Sequence, residues 1–477
     1  MKKTDLTDVD ILSQEVHGRV RYDVRPHPPV TIGLEPVDLT EYTMREHKEK
    51  VLAAMRKRDI DVLAVYGDRE HGANFGYLTG FEPRFEEGLL VFHKNGDAVL
   101  MLGNENLKMT QYARIKAQAV HVPHFSLPNQ PMKTDYKFSE LLGRAGIQKG
   151  RTVGIVGWKL FTGLFEENKK MFDVPGFIVD SIKGICGDGA VLNATDLFIH
   201  PLYGVRLQMN ANEIAHYEYG ASQAAYCVYK VMDSIEPEKT ELELADLLAA
   251  HGQPPSVQTI CASGQRFTNA VAAPRNKKIE TGEPVTVTMG LRGGLTHRCG
   301  YAVSDEQQLH PGKRNYLERV AVPYYRALTA WYSGIGIGVK AADIYRRTEE
   351  ILPAETYGWS LNPGHYVAEE EWMSSPFYPD SPVVLKSGMM LQMDIIIHVK
   401  GYGGANAEDG AALADESLRN QIKEHYPELW KRFEKRREYM RNILGIPIKD
   451  EMLPMSMLCG YFRPYLLDKQ KAFYIAD

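Results

Sequence analysis

The sequence predicts a mixed α/β (α+β) protein built of two domains. The chain has 477 residues, enough for two domains with sizeable cores. Strand-like apolar runs alternate with helical stretches through about residue 200, the pattern of a small α/β domain. Further on, Met389–Ile397 is nearly all apolar, which predicts a strand buried on both faces.

Taken in order, residues 1–41 are polar and proline-dotted and are expected to form an N-terminal arm that packs on another surface. Thr43-Met44-Arg45-Glu46 fits a capping box, and Met44, Val51, Leu52 and Met55 then share one helix face. Val62–Val65 reads as a buried strand. Leu89–Phe92 and Ala98–Met101 flank Lys94-Asn95-Gly96, a hairpin signal, and Thr152–Val156 begins another strand. Glu241–Leu248 is helical. Leu317, Val320, Tyr324, Ala327, Leu328 and Trp331 mark a long amphipathic helix with an expected kink at Pro323. Gly338–Ile344 opens the next helix. Residues 416–477 are expected as a C-terminal helical extension, charged from Leu418 to about Leu444.

Composition narrows the class. With 44% apolar and 25% charged residues the chain reads as an ordinary globular protein. A net charge of −5 argues against nucleic acid or an anionic membrane as partner. No run of 18 apolar residues occurs, so no transmembrane helix is expected. Met1-Lys2-Lys3-Thr4-Asp5 has the charge of a signal peptide without its apolar core. Five scattered cysteines show no metal or redox spacing, which points to free thiols in a reducing cytoplasm.

The chemistry concentrates between Asn362 and Asp409. His365 follows Asn362-Pro363-Gly364. Asp394 lies within the apolar Met389–Ile397 run, and Glu408-Asp409 follows Gly403-Gly404. An Asp in an apolar strand is costly to bury unless it meets a cation, a proton or several donors. Imidazole with carboxylates serves equally as a ligand set or as an acid/base set.

A His in a Gly-His turn, an acid in a Gly-Met strand and a Glu in a final Glu-Asp strand resemble the creatinase/prolidase-like ("pita-bread") family. Tyr77-Leu78-Thr79-Gly80-Phe81 and Val205–Ile214 resemble that family's N-terminal domain and its entry into the catalytic domain. The resemblance implies a creatinase-like N-terminal domain over 42–204, a pita-bread domain over 205–415, and a homodimer. Its peptidases hold two metal ions with two Asp, one His and two acids. Here His365, Asp394 and Glu408 match, with Asp394 where Glu is usual. Thr288 and Cys299 stand at the two Asp positions, Trp372 at the second peptidase His and Val271 at the loop His, near Asn269-Ala270.

These departures disfavour an Xaa-Pro peptidase. The expected function is hydrolysis of a non-peptide C–N bond (amide, guanidino or ureido) in a small polar molecule, without a binuclear centre. A metal-free centre would use His365 as acid/base, Glu408 or Asp394 to orient a nitrogen, and Cys299 as nucleophile or bystander. A mononuclear site would use His365, Asp394, Glu408 and Cys299 or His297 around zinc or iron. A lyase and a non-catalytic binding module remain as alternatives. Arg84 and Arg298 are expected to bind a substrate carboxylate, with His297 and Trp372 beside them.

Overall fold

A computed structural model describes residues 19–268 and 273–476. The charged start at Met1–Asp5 and the loop positions Asn269, Ala270 and Val271 lie outside the described residues. The chain forms two compact units: residues 39–207, and residues 208–477 together with the arm through Asp38.

In the arm, β1 (Arg19–Val24) pairs antiparallel with the last strand, described below.

The 39–207 unit is a six-stranded mixed sheet. Its strands are β2 (Val62–Gly67), β3 (Gly88–His93), β4 (Ala98–Leu102), β5 (Gln118–His121), β6 (Val153–Val156) and β7 (Val191–Asn193), in the order β5-β4-β3-β2-β6-β7. The β3–β4 hairpin turns at Gly96, whose φ of 93° suits glycine. Helices Phe138–Arg144 and Gly176–Cys186 bury apolar faces into this unit's core. Helix Glu41–Lys57 buries Met44, Val51 and Met55, but its cap is not Thr43. Thr40 is the N-cap: it is extended, and its Oγ1 accepts from the Thr43 amide at 3.2 Å.

The larger unit holds an antiparallel sheet of β8 (Ile260–Ser263), β9 (Pro284–Leu291), β10 (Gly294–Tyr301), β11 (His365–Tyr366), β12 (Met390–Asp394), β13 (Ala407–Leu413) and β14 (Met452–Pro454). The order is β11-β12-β13-β10-β9-β8, with β14 added to the far half of β13. β12 is buried throughout, as its apolar run predicts, and its ladder with β13 ends at Asp394. Helix Ala211–Ser234 lies against β9 and β10, opened by an Asn210/Glu213 capping box. Helix Val322–Gly334 places Pro323 at its second residue, after a wide π-type turn over Leu317–Ala321; this takes the place of the expected kink. Tyr324 of that helix accepts from the Ala407 amide at 2.7 Å, and Trp331 donates to the Pro363 carbonyl at 2.8 Å. Two turns of one helix thus brace both the strand carrying Glu408 and the turn carrying His365.

Residues 416–477 are more than a helical extension. Helices Glu416–His425 and Pro427–Glu438 lead into β14 and β15 (Lys471–Ala476), and β15 pairs with β1. Arg432 and Arg436 both meet the buried Glu218, and Arg436 reaches Thr31 Oγ1 at 3.0 Å. The arm is therefore pinned to its own unit.

Candidate active site

Strand register builds the site. Across the sheet Asp394 is opposite Glu408, Glu408 opposite His297, and His297 opposite Thr288. Directly paired residues face the same side of a sheet, so these four side chains form one row. β11 adds His365, paired with Gln392.

His365 is fully buried. Its Nε2 lies 3.2 Å from Glu371 Oε1, 3.5 Å from Glu408 Oε1 and 3.8 Å from Asp394 Oδ2. With its proton on Nδ1, the ring donates to the Tyr366 carbonyl at 3.1 Å, which leaves Nε2 turned to the carboxylates. The Trp372 ring stacks on the imidazole, with centroids 4.1 Å apart. His365 Nε2, Asp394 Oδ1, Glu408 Oε1 and Gln392 Oε1 are buried and find no hydrogen-bond partner among the described residues.

The protonation of this cluster is shifted throughout. Burial works against a charged His365, but Glu371 and then Glu408 outweigh it and raise its pKa. Burial also works against ionised Glu371, and His365 more than offsets it. Burial pushes Asp394 up to about 7, relieved in part by His365. Burial, with Asp394 alongside, pushes Glu408 well above the usual carboxylate range.

The other expected site residues are placed differently. Arg298 is on the opposite face of β10. Its guanidinium is spent on Asp409 Oδ2 at 2.5 Å and on carbonyls including Leu458 and Tyr461, in a pair 2% and 1% exposed. It has no capacity for a substrate carboxylate. Asp409 also accepts from Ser456 at 2.6 Å, so the Glu-Asp dipeptide divides: Glu408 to the site, Asp409 to the core. Cys299 shares the site face, and its surroundings disfavour a thiolate. Its Sγ accepts the Asn406 amide at 2.9 Å, and burial pushes the thiol up to about 12. His297 Nε2 meets Thr286 Oγ1 at 2.9 Å, and burial, with Arg298, lowers its pKa to about 4. Arg84 belongs to the 39–207 unit, where it pairs with Glu82 at 2.7 Å. Glu371 was not singled out from the sequence. It ends a run of three Glu; Glu369 pairs with Arg292 at 2.7 Å, and only contacts in space distinguish the third.

Residues 215–414 match the model of metallopeptidase family M24. The Xaa-Pro dipeptidase of Pyrococcus furiosus is 26% identical over 396 residues, covering 80% of this chain and 98% of that protein. Among solved structures, a prolidase from Thermococcus sibiricus aligns with a TM-score of 0.60 at 18% identity, covering 79% of this chain and 96% of its own. An Xaa-Pro dipeptidase from Bacillus anthracis aligns at 0.58 and 17%, covering 78% and 96%. The chain has the creatinase/prolidase-like, pita-bread fold.

For this creatinase/prolidase-like chain the family's two-metal centre meets a plain test. By the sequence resemblance that centre draws carboxylates from the positions of Thr288 and Cys299, and in the structure His297 is the residue opposite Thr288. Thr288 is neutral, and the Cys299 thiol stays protonated and engaged with Asn406. On the β9–β10 side the row supplies no carboxylate, and the His297 imidazole has its Nε2 on Thr286 Oγ1, so this side is a poor match for the two-Asp half of a two-ion centre. On the other side, buried unpartnered donors converge around His365.

Proposed function

We propose that the chain hydrolyses a C–N bond in a small polar molecule at the His365–Glu371–Asp394–Glu408 cluster, without a pair of metal ions. The observation that carries this reading is the buried set of one imidazole and three carboxylates with unpartnered atoms at its centre. Such a set costs several kcal/mol of desolvation, and perturbed buried groups of this kind concentrate at functional sites. The family supports C–N hydrolysis, since the relatives are named as Xaa-Pro dipeptidases and prolidases. The departed positions Thr288, Cys299 and Trp372 argue for a substrate other than an Xaa-Pro peptide.

Hydrolysis needs a group that takes a proton from water as oxygen adds to carbon, then returns it to the leaving nitrogen. Asp394 suits this role, because its Oδ1 is buried and uncommitted. His365, held by the Tyr366 carbonyl and covered by Trp372, keeps the carboxylates in register and shields them from bulk water. Glu371 and Glu408 orient the nitrogen being released.

Amide, ureido, guanidino and Xaa-Pro compounds should be screened with wild type and with Asp394→Asn and His365→Ala. Asp394→Asn is expected to lower kcat by about 10²–10⁴-fold on the non-peptide substrate found. Unchanged turnover in both variants would sink the reading, as would preferential cleavage of Xaa-Pro dipeptides or ligands that bind at this pocket and are never converted.

A further inference from the structure

We propose that Arg292, on the turn between β9 and β10, is a positioning residue that delivers Glu371 and Trp372 to His365 through its ion pair with Glu369. This rests on the reading of the His365 cluster as the working centre.

Glu371 and Trp372 reach the imidazole from a short loop. Backbone bonds close its base: the Tyr366 amide donates to the Ser374 carbonyl at 2.8 Å, and the Met373 amide to the Tyr366 carbonyl at 3.0 Å. Between those ties, residues 367–372 belong to no helix or strand. A loop of this kind samples many conformations unless contacts from outside hold it. Two such contacts come from the β9–β10 turn. The Gly293 amide donates to the Ala368 carbonyl at 2.7 Å, and Arg292 Nε lies 2.7 Å from Glu369 Oε1.

The turn is itself a fixed anchor. Gly293 has a φ of 93°, and a Cβ there would strike the Tyr217 carbonyl oxygen, so the turn sits hard against helix Ala211–Ser234. Contact then runs from that helix through Arg292–Gly293 and Ala368–Glu369 to the centre. It ends at Glu371, 3.2 Å from His365 Nε2, and at Trp372, stacked on the imidazole with centroids 4.1 Å apart. The Arg292 and Glu369 side chains are 42% and 14% exposed, so the pair is partly solvated and adds little to folding; what it fixes is geometry. A displacement of about 1 Å at a working group costs on the order of 10²-fold in rate.

The test uses the full chain with Arg292→Gln, Glu369→Gln and the double variant. Each is compared with the same protein carrying Trp372→Phe, so that Trp372 emission is obtained by difference. In wild type the imidazole stacked on Trp372 quenches that emission. Arg292→Gln is expected to raise it about 2-fold or more. On the C–N compound found by screening, kcat should fall about 10- to 100-fold with KM changed less than about 3-fold, and Tm should stay within about 2 °C. Glu369→Gln should do the same, and the double variant should be no worse than either single one, because both act through one pair. Unchanged Trp372 emission in folded Arg292→Gln would overturn the proposal, as would a loss of kcat that tracks a fall in Tm, or losses that add in the double variant. If the emission responds as expected in a protein that turns over no C–N compound, the positioning role stands and the proposed function fails. If turnover depends on Asp394 yet neither emission nor kcat responds to Arg292→Gln, the function stands and the positioning role fails.

Discussion

Arg298 and Cys299 are adjacent on β10, and their fates differ because successive side chains on a strand face opposite sides. Arg298 points into a polar knot with Asp409 and Ser456, where removing one partner leaves the other charge buried and alone. Arg298→Met is expected to destabilise the protein by about 3–5 kcal/mol, read as a lower urea midpoint at unchanged slope. Cys299 faces the site with its thiol pushed up to about 12, so at pH 8 it remains a thiol. It should resist alkylation in the native state at pH 8, and Cys299→Ser should keep kcat within a few-fold. Rapid native alkylation of Cys299 with loss of turnover would restore it as a nucleophile.

At the scale of elements, close backbone approach and paired charge set the requirements. Helix Ala211–Ser234 passes so near the β9–β10 turn that a Cβ on Gly220 would strike the Arg292 carbonyl oxygen. Gly220→Ala should cost about 1–3 kcal/mol through that overpacking, measured by thermal unfolding. In the 39–207 unit, Asp196 receives Arg58 at 2.9 Å and Tyr203 at 2.8 Å, and Lys169 also pairs with it. Burial works to raise its pKa, but these partners hold it below the ordinary value. A carboxyl depressed in the folded state stabilises above its unfolded pKa of about 3.9, and that stability fades as pH falls through the folded value. Denaturation of wild type and Asp196→Asn should therefore differ most at neutral pH and converge as the pH falls through the depressed folded-state value. A difference that grows on acidification would refute the assignment.

The larger unit closes on itself through both ends of the described chain. β15 pairs with β1, and Phe473, buried between them and the core, takes the Tyr325 hydroxyl on its carbonyl at 3.1 Å. Removing residues 469–477 would expose that core and leave β1 without its partner. Loss of the Phe473 side chain alone is worth about 3–5 kcal/mol. The truncated protein should unfold at least 10 °C lower than the full chain, and an unchanged Tm would show that the β1–β15 pair adds nothing. The C-terminal strands were not legible, because Met452–Pro454 and Lys471–Ala476 gain their ladders from partners far away in sequence. The N-cap at Thr40 was missed for a local reason: Thr40 and Thr43 are both good caps, and only the extended backbone at Thr40 decides between them. What the sequence by itself determined is the family fold and three members of the cluster. The Gly-His turn, the apolar strand that contains Asp394 and the Glu-Asp strand after glycines are each short-range signals of backbone geometry and burial. What only the tertiary structure decided is the fourth member, Glu371, together with the withdrawal of Arg298 and Cys299 from the chemistry. Those outcomes depend on which atoms meet across strands and turns, and three consecutive Glu or two neighbouring strand residues carry no local mark of it.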